Sequence, residues 1–138
     1  MSDDLLNALE NESNASIVEL STKKINIQKQ LIFDQLNLTG EKRECFEDKL
    51  SNYRYCNDLK DIQYGFYIRW IPLKNPEKIY ITNGGHICDI KIINNEIHIV
   101  CKNNMNNFFQ IKFDECLLFQ KISPQENVIL NVLDYLES

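Results

Sequence analysis

Apolar and polar residues alternate through three consecutive segments: Lys78-Ile79-Tyr80-Ile81-Thr82, His86-Ile87-Cys88-Asp89-Ile90-Lys91-Ile92 and Glu96-Ile97-His98-Ile99-Val100-Cys101-Lys102. A period of two predicts half-buried strands. The breaks fall at Asn83-Gly84-Gly85, at Asn94-Asn95 and in the run from Asn103 to Asn107. Glycine has no Cβ and asparagine tolerates the left-handed region, so these breaks supply the positive φ that hairpin turns need. Upstream, Gly65-Phe66-Tyr67-Ile68-Arg69-Trp70-Ile71-Pro72-Leu73 is rich in β formers, and Pro72 marks an edge strand or a strand end. Lys74-Asn75-Pro76-Glu77 reads as a turn, and residues 108–113 and 116–122 read as two further strands with Asp114-Glu115 in a tight reversal between them.

Before residue 61 the period is helical. Ile17, Leu20, Ile27, Leu31 and Leu38 recur at steps of three and four, with Ile25, Ile32 and Leu36 beside them, which predicts a long amphipathic helix over residues 17–38. Thr39-Gly40 breaks it, and a second helix is expected from about residue 41 to 59, with Phe46, Leu50 and Tyr53 along one stripe. Ser2-Asp3-Asp4 can cap a short helix through Glu10 that carries Leu5, Leu6 and Leu9. The polar stretch Asn11-Glu12-Ser13-Asn14 then reads as a linker. At the other end, Ser123-Pro124-Gln125-Glu126 is a capping box with proline at the first helical position. The helix after it carries Val128, Ile129, Val132, Leu133 and Leu136 on one face and is expected across an open end or one face of the sheet. The fold class is therefore α+β: an N-terminal helical pair, a bent antiparallel sheet or small barrel of about five strands, and a C-terminal helix. Residues 1–15 form a mobile or docking segment, 16–61 a helical segment, and 62–138 a β-barrel-like domain with its C-terminal helix.

Composition narrows the function more than it names it. The chain has 138 residues, 43% hydrophobic and 25% charged, near globular averages, so it should fold with a modest core. Its formal net charge of −5, from 20 acidic against 15 basic side chains, argues against general phosphate-backbone binding while leaving room for a local basic face. No run approaches the roughly 20 apolar residues of a membrane span, and the acidic start lacks the features of a signal peptide. The expectation is an intracellular, cytoplasmic protein without a membrane partner. Five cysteines, scattered at Cys45, Cys56, Cys88, Cys101 and Cys116, fit reduced thiols in such a compartment.

No arrangement of reactive side chains matches a catalytic pattern. His86-x-Cys88 is the only close pair with zinc-ligand character, and His98 and Cys101, an odd number apart on a strand, face opposite sides. No cysteine has a neighbouring histidine in a nucleophile motif, and Asp114-Glu115 would point apart if extended. Asn83-Gly84-Gly85 precedes a strand instead of a helix, unlike a phosphate loop. The sequence thus assigns no catalytic residue, no metal and no cofactor. A non-catalytic interaction module is expected, contacting a protein partner or a second copy through Ile17, Leu20, Ile27 and Leu31 on the long helix and Tyr67, Arg69 and Trp70 on a strand edge near residues 67–73. The alternative is a single-stranded nucleic-acid-binding sheet on which Tyr67, Tyr80 or Phe108 stacks bases while Lys91 and Lys102 meet phosphates.

Residues 78–120 resemble a small SH3-like or Sm-like barrel in their succession of strand, Asn-Gly turn, long strand, Asn-Asn turn and strand. The resemblance is one of architecture. Asn94-Asn95-Glu96 does not match the Asp-x-x-Met-Asn RNA-contact motif of Sm proteins, so no RNA-contacting residue is carried over. Arg69-Trp70-Ile71-Pro72-Leu73, Phe113-Asp114-Glu115 and Leu118-Phe119-Gln120-Lys121-Ile122-Ser123-Pro124-Gln125-Glu126, in a chain rich in Ile and Asn, resemble small proteins of large cytoplasmic (giant) DNA viruses. That resemblance implies a virion or assembly component, in the host cytoplasm or the virion.

Overall fold

The computed structural model describes residues 2–10, 17 and 20–137. The linker read at residues 11–14 lies outside them. The fold is α+β, with helices α1 (Ser2–Glu10), α2 (Thr22–Gln35), α3 (Gly40–Lys49) and α4 (Pro124–Glu137). Its strands are β1 (Tyr53–Cys56), β2 (Tyr67–Pro72), β3 (Gly85–Ile93), β4 (Glu96–Lys102), β5 (Phe108–Lys112) and β6 (Cys116–Lys121). Two compact units interleave along the chain: Met1–Leu38 with Ile122–Ser138 in one, and Thr39–Lys121 in the other.

The second unit holds the sheet, six antiparallel strands in the order β1-β6-β2-β3-β4-β5. Among the described residues β5 has no strand partner on its outer side, so the sheet is open and the barrel alternative is not realised. The turns carry the expected geometry: Asn94 and Asn95 have φ of 51° and 66°, and Gly84 has φ of 86°. Strand alternation then sorts side chains by face. Ile68, Trp70, Ile87, Ile99, Cys101 and Leu118 fill the core with Cys56 and Ile62, and Ile90, Ile97 and Ile111 pack against them. The opposite face carries Tyr67, His86, Lys91, His98, Lys102, Phe108, Gln110 and Lys112, as the strand registers require. A bulge at Cys88 shifts the β3–β4 register, so His86 shares a face with Asp89 and the period of two breaks between them.

Three expectations are corrected here. The second helix stops at Lys49, with Leu50 as its C-cap. Tyr53-Arg54-Tyr55-Cys56, read as helical, pairs instead with β6. Two tyrosines in an alternating run gain more from a ladder than from helix propensity. Residues 78–82 form no regular strand; they lie beside β2 through Thr82, whose N–H donates to the Trp70 carbonyl (3.0 Å) and whose hydroxyl accepts from the Trp70 N–H (3.2 Å). Arg69 Nε adds a bond to the Thr82 carbonyl at 2.9 Å. Finally, β2 is not an edge: it lies between β6 and β3, and Pro72 marks its end.

In the first unit, Ser21 is the N-cap of α2, with extended φ and ψ of −147° and 164°, and its hydroxyl accepts from the Lys24 N–H at 3.2 Å. The helix therefore starts at Thr22, five residues after the predicted start. It ends through Asn37 at φ 57°, where the Asn37 N–H reaches the Asp34 carbonyl and the Leu38 N–H the Phe33 carbonyl, each at 3.0 Å. Its buried face is Ile25, Lys29, Ile32 and Phe33, which leaves Ile27 and Leu31 49% and 56% exposed. Ala8, Ile17, Ile25, Ile122, Ile129 and Leu130 make one cluster, with Leu5, Leu20 and Leu133 against it. α4 thus packs with the other helices of this unit. Thr22 ties α2 to α4 as well, its N–H and hydroxyl donating to the Asp134 carboxylate at 2.9 and 2.6 Å.

Candidate functional site

β5 reads Phe108-Phe109-Gln110-Ile111-Lys112, and four of its five residues are exposed. An edge strand is normally blunted by proline, a bulge or outward charges. β5 has no proline and no bulge against β4, and its single charge, Lys112, is held at 3.3 Å by Glu96. The Glu96 hydrogen bond and charge raise the Lys112 pKa, with Glu115 adding to the effect, so the ammonium stays protonated and directed back toward its own chain. Phe108 is 65% and Phe109 43% exposed. Large apolar residues on an unpaired edge favour contact with another strand.

The orientation of the edge backbone follows from the loop before it. Asn103 donates its N–H to the Asn107 carbonyl at 3.0 Å, and Lys102 pairs with Phe108, Cys101 with Phe109 and Val100 with Gln110. Antiparallel ladders alternate hydrogen-bonded and non-bonded pairs. Asn103–Asn107 is of the bonded kind, so Cys101–Phe109 and Ile99–Ile111 are too, and the N–H and C=O groups of Phe108, Gln110 and Lys112 point away from β4. The side chains of these same three residues are steadied from β4: Lys102 Nζ lies 5.7 Å from the Phe108 ring centroid, and Gln110 Nε2 lies 3.2 Å from His98 Nδ1. The side chains of the edge are thus held by contacts within the chain itself.

A depression runs beside this edge. One part, of about 420 Å³, is lined by Trp70, Pro72, Lys74, Gln110, Ile111 and Cys116 among others. A second, of about 350 Å³, shares Trp70, Gln110 and Ile111 and continues to Tyr80, Thr82, Asn83 and Phe109. Burial pushes the Cys116 thiol up to about 12, with Glu115, Cys101 and Asp114 adding to the shift, and burial with Cys88 pushes Cys101 up to about 11. Both thiols are protonated at neutral pH and make poor nucleophiles.

The residues singled out in the sequence divide sharply. Trp70 is in the core, while Tyr67 and Arg69 are half-buried and engaged, Tyr67 through its hydroxyl to the Asn83 carbonyl (2.6 Å) and Arg69 through Nη1 to the Lys49 carbonyl (3.3 Å). Ile17 is buried and Leu20 packs on the helical cluster, so neither presents a contact surface, whereas Ile27 and Leu31 line a shallow depression along α2. The alternative set is brought partly together. Tyr67 and His86 meet edge to face at 5.0 Å, His86 pairs with Lys102, and Lys102 with Phe108, giving a row across four strands. Tyr80 lies apart from that row, with Lys78 Nζ 5.7 Å from its ring centroid. Lys91 is exposed and pairs with His98, which in turn pairs with Lys112. Sequence reasoning missed Phe109 and Gln110, although the run of β formers flanked by the Asn-rich loop and Lys112 was there to mark a terminal strand.

The fold and this edge define an open antiparallel α+β protein with an unprotected outer strand. Comparison of the chain with known protein families, with characterised proteins and with solved structures finds no match. Among the described residues no helix is long and apolar enough to cross a membrane, and no three His, Cys, Asp or Glu side chains converge as metal ligands would.

Proposed function

We propose that this chain is a non-catalytic protein-interaction module whose binding element is the outer edge of β5, which takes up an extended segment as an additional strand. One observation carries the reading: the outward backbone groups of Phe108, Gln110 and Lys112 are flanked by exposed Phe108 and Phe109 and by the depression at Trp70 and Ile111. Strand addition draws affinity from main-chain hydrogen bonds and specificity from pockets for alternate side chains. Both are available here. In the viral setting that the sequence resemblance implies, such a module serves as a virion or assembly component.

Gln110→Pro tests the proposal, because it removes an outward N–H while leaving the β4–β5 bonds in place. Affinity purification with the native chain is expected to recover a stoichiometric protein, another molecule of the chain included, that the proline variant loses. Equal recovery by both, or no partner alongside turnover on a substrate panel, would overturn the assignment. A second reading is favoured by the Tyr67, His86, Lys102 and Phe108 row, which offers stacking rings and a cation on one face as single-stranded nucleic-acid platforms do.

A further inference from the structure

We infer that the strand recruited by β5 is β5 of a second copy of this chain, paired antiparallel about Gln110. The inference rests on the strand-addition reading and names its occupant. The sequence of β5 is self-complementary in that register: Gln110 meets Gln110, Phe109 meets Ile111, and Phe108 meets Lys112. The backbone fits equally well, since Phe108, Gln110 and Lys112 are the residues whose N–H and C=O groups face outward, and under a two-fold axis through the Gln110 pair each faces another of the three.

Charge agrees with the register. Lys112 is the only charged residue of β5, and in this pairing it lies opposite a phenyl ring and not opposite another cation. Its attachment to Glu96 within its own chain lowers the repulsion between the two edges further. On the core side of the sheet, Phe109 and Ile111 form two apolar cross-strand pairs beside the depression at Trp70. A contact built on one five-residue strand is smaller than the roughly 1,200 Å² of stable interfaces, so the dimer should depend on concentration and exchange with monomer.

The test is sedimentation velocity from the micromolar to the millimolar range, with cysteine pairing to fix the register. Cys45 and Cys88 are exposed and are replaced by serine in every variant. The parent is expected to shift from monomer to dimer with concentration. Gln110→Cys should form a covalent dimer on mild oxidation, since opposed residues in a hydrogen-bonded pair lie about 5.5 Å apart at Cα, within disulfide reach. Phe108→Cys, which faces Lys112 of the second copy, should not. Phe108→Lys should weaken the dimer by about tenfold by setting like charges opposite one another twice, while Phe108→Glu should retain it. A strictly monomeric parent, or crosslinking through position 108 in preference to 110, would overturn the inference. A monomer that still captures a different protein, with capture lost in Gln110→Pro, would overturn self-pairing and leave strand addition standing; capture indifferent to Gln110→Pro would overturn both.

Discussion

Gly84 stands immediately before β3, in the break between that strand and the segment beside β2. Its φ of 86° lies where side chains are strained, and a Cβ there would collide with the Ile68 carbonyl oxygen while crowding Arg69 and Tyr67. Gly84→Ala is therefore expected to lower stability by about 2 kcal/mol or more, because the obstacle on one side is backbone and cannot rotate away. Chemical denaturation of the two proteins would check it, and equal midpoints would contradict the geometry. This position was legible from sequence as one of the glycines in an Asn-Gly-Gly break. What was not legible was that the segment on its N-terminal side forms no regular strand: Ile79 to Thr82 have strand-like residues, but the segment is held to β2 only through Thr82, by its N–H and hydroxyl to the Trp70 backbone and its carbonyl to the Arg69 guanidinium. A period of two records which side chains face inward, and Ile81 does so; it does not record whether the backbone pairs.

Among the elements, those with a chemical signature at their ends were read best. The capping box at α4 is formed as its residues require: the Ser123 N–H donates to Glu126 Oε1 at 2.9 Å, and the Glu126 N–H donates to the Ser123 hydroxyl at 3.1 Å. Ser123→Ala should cost about 1 kcal/mol by leaving an orphan helix N–H, a change readable as a lower thermal midpoint with helicity otherwise retained. An unchanged midpoint would mean that water replaces the hydroxyl without penalty. Elements whose limits depend on competition were read less well. α2 begins at Thr22 because Ser21 caps it, although the apolar spacing through Ile17 and Leu20 continues upstream; both residues are used in the helical cluster without being in that helix. β1 escaped notice because Tyr53 continues the stripe of Phe46 and Leu50 at helical spacing, and only pairing with a strand more than sixty residues away overrides it. The same kind of non-local choice decides which strands are edges. Nothing local to β2 announces that β6 will lie beside it, so an edge strand was expected at residues 67–73, whereas β2 is interior and β5 ends the sheet.

For the whole molecule, charge is what separates the two binding readings. The chain carries a formal −5, and on the face that bears the Tyr67, His86, Lys102 and Phe108 row the cations are accompanied by Asp89 and Glu96. Lys112, the cation nearest the edge, already binds Glu96. Lys91 and Lys102 are left as the principal phosphate contacts on this face, and counterion release from so few contacts gives little affinity. Single-stranded RNA or DNA, followed by fluorescence anisotropy, is accordingly expected to show no binding at physiological salt. If binding appears at low salt through those two lysines alone, the log–log slope against salt should be no steeper than roughly −1.4, from about −0.7 per phosphate contact on a single strand. Replacing Lys91 and Lys102 with Glu should then abolish it while leaving the fold intact. Tight binding with a slope several times steeper would require a basic surface elsewhere and would displace protein recognition as the proposed function.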